Sequence, residues 1–207
     1  QMTLTGALSV IADATNLATG SAKGGSNGLI NGVVMLAETS IAAGTSAEMD
    51  GHVLGSSSAT VEAAAVNNAA SSTFAEAISF GGSMTGESGT ADITADANVE
   101  AAIGQSASIV SGGAVSVDAE SSQLANADVE GGGGGLAIGA AGMTSRSALM
   151  SATVADIGDD AVITAAKVAV TAESLGSEAN SLTSAGTGGL ISIGITEADA
   201  TNDAAVS

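Results

Sequence analysis

The sequence has no Cys, Pro, Trp or Tyr, and only two Phe. Without Cys there are no disulfides, no zinc-thiolate sites and no thiol chemistry. With 1% aromatics, the chain cannot fill a thick globular core, because bulky side chains supply most of the buried area per residue. Positive charge is nearly missing: Lys23, Arg146 and Lys167 stand against 22 acidic residues, for a net charge of −19. Nucleic acid is excluded as a partner, since phosphate binding needs clustered Lys or Arg, and anionic membrane surfaces are disfavoured on the same ground. No apolar run approaches the ~18 residues of a membrane-spanning helix, so membrane insertion is not expected. No signal peptide opens the chain, and "QMTLTG" starts inside a pattern, which reads as an internal or processed start.

What is present is small. Ala, Ser, Thr, Gly and Val dominate, with 29 Gly and a hydrophobic fraction of 45%, too apolar for simple disorder. Such residues suit a thin core between close backbone layers, under an acidic, self-repelling surface.

Internal repeats organise the chain. "ALSVIA", "ATVEAA", "AVSVDA" and "KVAVTA" share a strand motif whose central Val10, Val61, Val117 and Val170 lie 51, 56 and 53 residues apart. A second anchor places Leu29, Phe80, Leu136 and Leu190 at spacings of 51, 56 and 54. A third aligns Gly51, Gly104 and Gly158 at 53 and 54. Four repeats follow, at 1–53, 54–106, 107–160 and 161–207, forming one domain. Neither end carries a distinct polar cap, which a soluble monomeric repeat array needs.

Period-two alternation predicts strands. In "AVSVDAESSQLANADVE", Val115, Val117, Ala119, Ala125, Ala127 and Val129 alternate with polar neighbours, with a break near Ser121 to Gln123. "LMSATVADIGDD" and "AVITAAKVAVTA" alternate likewise, the latter bending near Ala165 to Lys167. Ala favours helices, but the Gly, Thr, Val and Ser content and the lack of an i, i+4 charge ladder oppose them. Each repeat reads as about three strands. Corners fall at Gly112–Gly113 or Ala166–Lys167, at the glycine-rich segment before Leu136, and at "IGDD". The expected fold is all-β: a parallel β-solenoid (β-helix), right-handed, of about four repeats with a thin small-residue core. One wide rung per repeat is favoured; three narrow coils of about 18 residues each stay open.

Several motifs invite chemistry. Gly131 to Gly135 contain a phosphate-loop-like string, but a strand rather than a helix follows, and "KGGSNGL" and "AGTGGL" recur at the same place. A repeated corner is expected there, with Gly supplying positive φ. Asp156, Asp159 and Asp160 gather carboxylates as calcium sites do, yet "IGQS" at the matching corner has none. Calcium, at acidic turns or subunit contacts, is the one cofactor the composition admits. His52 is the sole histidine, and no triad is legible around it. Phe80, aligned with Leu29, Leu136 and Leu190, is expected in the core, and Phe74 as a surface contact. Glu62, Asp118 and Glu173 read as a solvated face that discourages stray edge pairing. No catalytic, cofactor-binding or metal residue is assigned, and the chain is not expected to be an enzyme.

"ADIGDDAVITAAKVAVTAES" followed by "GTGGLISIG" resembles the repeats of large bacterial filamentous-haemagglutinin-like and leukotoxin-type filamentous adhesins. The resemblance runs through all four repeats and is clearest in Ala101 to Gly194; in the first, "MDGHVL" replaces the Ile-Gly-Asp turn. It implies export to the bacterial surface, a β-solenoid, and a stalk, fibre or adhesin role. The expected partner is self, through rung stacking. Surface glycan or a host surface is the alternative partner, in an adhesin-type binding module. Ice binding would need a flat Thr rank, which Thr60, Ser116 and Ala169 do not form.

Overall fold

A computed structural model describes residues 1–207, with no helix. The first repeat supplies β1 (Met2–Thr3), β2 (Ala7–Ile41) and β3 (Thr45–Met49). The second supplies β4 (His52–Ser56), β5 (Ser58–Ile93) and β6 (Val99–Ile103). The third has β7 (Ser108–Ser111), β8 (Ala114–Gly135), β9 (Ile138–Leu149) and β10 (Ala152–Ile157). The fourth has β11 (Val162–Thr164), β12 (Lys167–Gly188), β13 (Ile191–Asn202) and β14 (Ala205–Val206).

Every pairing is parallel and joins residues one repeat apart; none joins residues a third of a repeat apart. Three sheets result: β1-β4-β7-β11, β14-β10-β6-β3, and a large one in which β2 and β5 match β8 plus β9, and then β12 plus β13. The motif valines stack as read, Val10 on Val61 on Val117 on Val170. In the third and fourth repeats the segments number four rather than three, because the long strand that runs unbroken as β2 and as β5 is interrupted, at Leu136–Ala137 and at Gly189–Leu190.

The largest sheet doubles back on itself. β5 passes through a bend at Phe80–Gly81, where Ser79 pairs with Gly135 and Gly82 with Ile138. The two halves then face each other as a thin two-layered arm. Ser71 Oγ donates across it to the Ala37 carbonyl at 2.8 Å, and Ser145 Oγ to that of Ala127 at 2.9 Å.

The main core lies where the three sheets meet. Val61, Val99, Ile103, Ile109, Val115 and Val117 are fully buried there. Each such side chain contributes about 1.5–3 kcal/mol relative to exposure. A smaller cluster around Ala69, Ile93, Ala125 and Leu149 fills the base of the arm. Between the two runs a polar seam. Asn16, Asn67 and Gln123 stack in register, and Asn16 Nδ2 donates to Asn67 Oδ1 at 2.8 Å. Ser121 and Thr153 hydroxyls lie 2.6 Å apart, and Ser151 Oγ donates to Gln123 Oε1.

This seam corrects the expected break at Ser121 to Gln123. Alternation runs straight through: Ser121 and Gln123 point inward and are buried. They are tolerated because the seam gives them hydrogen-bond partners. Ser151 and Thr153 are likewise the inward residues of their segment.

The third anchor also shifts. Gly104 donates to the Met49 carbonyl and Ser108 to that of Gly51, so Asp50 matches Gly104 while Gly51 matches Ala107. Two residues link β3 to β4, whereas four link β6 to β7. The short link turns through Gly51 at φ +90°; the longer ones place Ser106 and Asp160 at φ near +60°.

Candidate functional surfaces

The five glycines are not a corner. Gly131 to Gly135 form the end of β8, in extended conformation; positive φ occurs among glycines only at Gly51, Gly55 and Gly189. The chain turns just after them, at Leu136–Ala137. Glycine is required here by closeness rather than by φ. A Cβ on Gly133 would lie 2.6 Å from the Ala140 carbonyl oxygen, and one on Gly135 would collide with that of Ile138. The layers of the arm therefore pinch together at its tip. On the outer side, bare backbone at Gly132, Gly134, Gly186 and Gly188 lies below the level of Phe74, Glu76 and Ile78. The result is an open trough of about 850 Å³, with Glu130 and Leu136 at its margins.

The tip itself corrects the expectation for Phe80. Phe80 is 74% exposed, and Leu29, Leu136 and Leu190 are equally outward. They sit on the turn, where there is no opposing layer to cover them. Phe74 is 39% exposed and walls the trough.

Inside the arm lies a group the sequence reading missed. Glu87 is 5% exposed, and neither carboxylate oxygen has a well-formed hydrogen-bond partner. It faces Gly131, whose missing Cβ leaves the space that Glu87 Oε1 occupies. Burial pushes its pKa from 4.5 up to about 7; the Ala75 amide opposes this and the Glu130 charge adds to it. In register, Glu87 stands between Met35 and Met143, while Gly24, Ala75, Gly131 and Ala185 form the facing column. Long side chains thus meet small ones across the arm. The signal was available: shifting Glu87 by 56 residues reaches Met143, an inward apolar position. Asp92, half-buried, also has a raised pKa through burial, opposed by Arg146.

The remaining sequence candidates are separate. His52 is exposed at the start of β4, beside Ser108 in register. Asp156, Asp159 and Asp160 are exposed at their corner, and no three His, Cys, Asp or Glu converge as a metal site would require. Glu62, Asp118 and Glu173 lie on the outer face of the large sheet, with Glu62 stacked on Asp118.

Two extended features remain. The sheets end openly: β2 pairs only with β5, β12 only with β8, and β13 only with β9. At these ends core residues lose cover, so Val168 and Val170 are 44% and 46% exposed although they continue the buried column of Val115 and Val117. Near the tip the outer face of the second arm layer is apolar, with a groove of about 330 Å³ over Gly86 and Gly142 between Val34 and Ile195, while farther along the same face carries Glu38, Asp92, Arg146, Glu197 and Asp199. No family model, curated protein or solved structure matches the chain.

Proposed function

We propose that this chain is a segment of a β-solenoid that builds an extracellular filament or adhesin stalk on a bacterial surface. The observation that carries this reading is the unbroken parallel register from first to last repeat, ending in open edges. β2 presents 35 residues of edge, and β12 and β13 present 22 and 12. Open edges are templates for further pairing, and a head-to-tail contact that does not close generates fibres. The columns suit continuation: Val10 above Val170 and Ala12 above Ala172 repeat contacts already present inside the chain. The continuation is a further stretch of the same polypeptide or a second copy. The adhesin-like repeats support the surface location. No residue is given a catalytic role.

Electron microscopy of the purified chain tests this. Rods that lengthen with concentration are expected; strictly monomeric particles with both edges exposed refute it.

A second reading, an adhesin-type binding module for glycans, rests on the trough. There Phe74 offers an apolar wall and Glu76 and Glu130 offer acceptors for sugar hydroxyls. Saturable binding on a glycan array, lost in Phe74→Ala, supports it; silence across the array removes it.

A further inference from the structure

We infer that the outer face of the second arm layer, over the three rows nearest the tip, is a lateral self-association surface, seated on the same patch of a second copy. Three rows of outward residues define it. They are Ile30, Gly82, Ile138 and Ile191; Gly32, Met84, Ala140 and Ile193; and Val34, Gly86, Gly142 and Ile195. None of these twelve residues is charged or polar, in a chain of net charge −19. The carboxylates lie elsewhere: Glu62, Asp118, Glu120, Asp128, Glu130 and Glu173 on the outer face of the opposite layer, and Glu38, Asp92, Glu197 and Asp199, with Arg146, farther from the tip on this one.

Charge decides the occupant. Two copies bearing this many carboxylates repel unless they meet where carboxylates are absent. Meeting through the apolar rows puts the acidic faces of the opposite layers on the far sides of a four-layered stack. With layers about 10 Å apart, those faces lie well beyond the ~8 Å Debye length at physiological salt. Relief agrees with charge. With strand direction reversed across a two-fold axis along the stacking direction, Ile138 of each copy lies over the groove at Gly142 of the other, and Glu38, Asp92, Glu197 and Asp199 of each copy fall past the outermost apolar row of the other, at opposite ends of the pair. Met84 then meets its own mate at the axis.

Area sets the strength. Four strands at about 4.8 Å and three rows at about 6.7 Å give a face of about 400 Å². A standard interface needs about 800 Å² per partner, so a single copy pairs weakly. Two copies stacked end to end present twice the face. Lateral pairing thus has its own surface but gains strength from axial stacking, and each is read separately, as particle width and particle length.

The absence of Cys gives a direct test on the full chain. Met84→Cys places a single thiol at the proposed axis, on a side chain 64% exposed, so folding is spared. Asn126→Cys, on the opposite face, is the control. Mild oxidation is expected to give disulfide-linked dimers at least tenfold faster for Met84→Cys, and microscopy to show double-width particles. Met84→Asp is expected to raise the concentration for double width at least tenfold without shortening the rods. Equal cross-linking at both positions, or single-width particles at every concentration, overturns the proposal. So does capture of the unpaired chain by neutral phosphatidylcholine vesicles that Met84→Asp abolishes, which assigns the face to a membrane instead.

Discussion

Glu87 makes the stability of the fold depend on pH in a defined direction. Its pKa is about 7 in the folded chain and 4.5 as an ordinary glutamate. Between these values the folded state holds a proton that the unfolded chain has released. Stability must therefore fall as pH rises through this window. The contribution is fully present below about pH 4.5 and lost above about pH 7. The whole displacement corresponds to about 3 kcal/mol, at about 1.4 kcal/mol per tenfold change in proton affinity. The arm is only two strands thick, so water one strand away screens the charge and reduces this to about 1–2 kcal/mol. The other acidic groups also respond to pH, so the measurement must be a difference. Urea denaturation of the wild type and of Glu87→Gln, between about pH 4 and 8, supplies it. The variant is expected to match the wild type at the acid end and exceed it by about 1–2 kcal/mol at the alkaline end. Glu87→Met, which completes the column of Met35 and Met143, is expected to gain at least as much. A difference that does not change with pH would refute the assignment of a buried, unpartnered carboxylate.

The glycine run offers a paired test. Gly133→Ala is expected to cost about 1–3 kcal/mol through overpacking against Ala140. Gly134→Ala meets no atom within 4 Å and is expected to be neutral or stabilising by up to about 1 kcal/mol, read as a shift in Tm. In the main core, Ile109→Ala is expected to cost about 2–5 kcal/mol by denaturation. Ile11→Ala, at a position 61% exposed, should change stability by less than about 0.5 kcal/mol. Asp160→Gly relieves a left-handed backbone at φ 60° and is expected to raise Tm slightly, whereas Asp160→Val is expected to lower it.

The sequence by itself determined the strand class, the repeat and most of the register. These rest on local periodicity: alternation sets which side of a strand faces in, and spacing sets which residues stack. Val10, Val61, Val117 and Val170 could be aligned by inspection because every strand keeps nearly the same length between them. The seam of Asn67, Ser121 and Gln123 was not legible. Amides and hydroxyls read as a break in an apolar pattern until their partners on Ala97, Thr153 and Ser151 are brought near. Phe80 was misplaced for the same reason. Its alignment with three leucines showed that the position recurs, but only the bend in the large sheet shows that nothing covers it. The folding back of β5 onto itself is the decision that belongs to tertiary structure. It buries Glu87 against Gly131, turns five glycines from a corner into a close contact, and leaves an apolar patch on one outer face near the tip. Those outcomes depend on which layers approach each other and how closely, a distance that no one-dimensional pattern encodes.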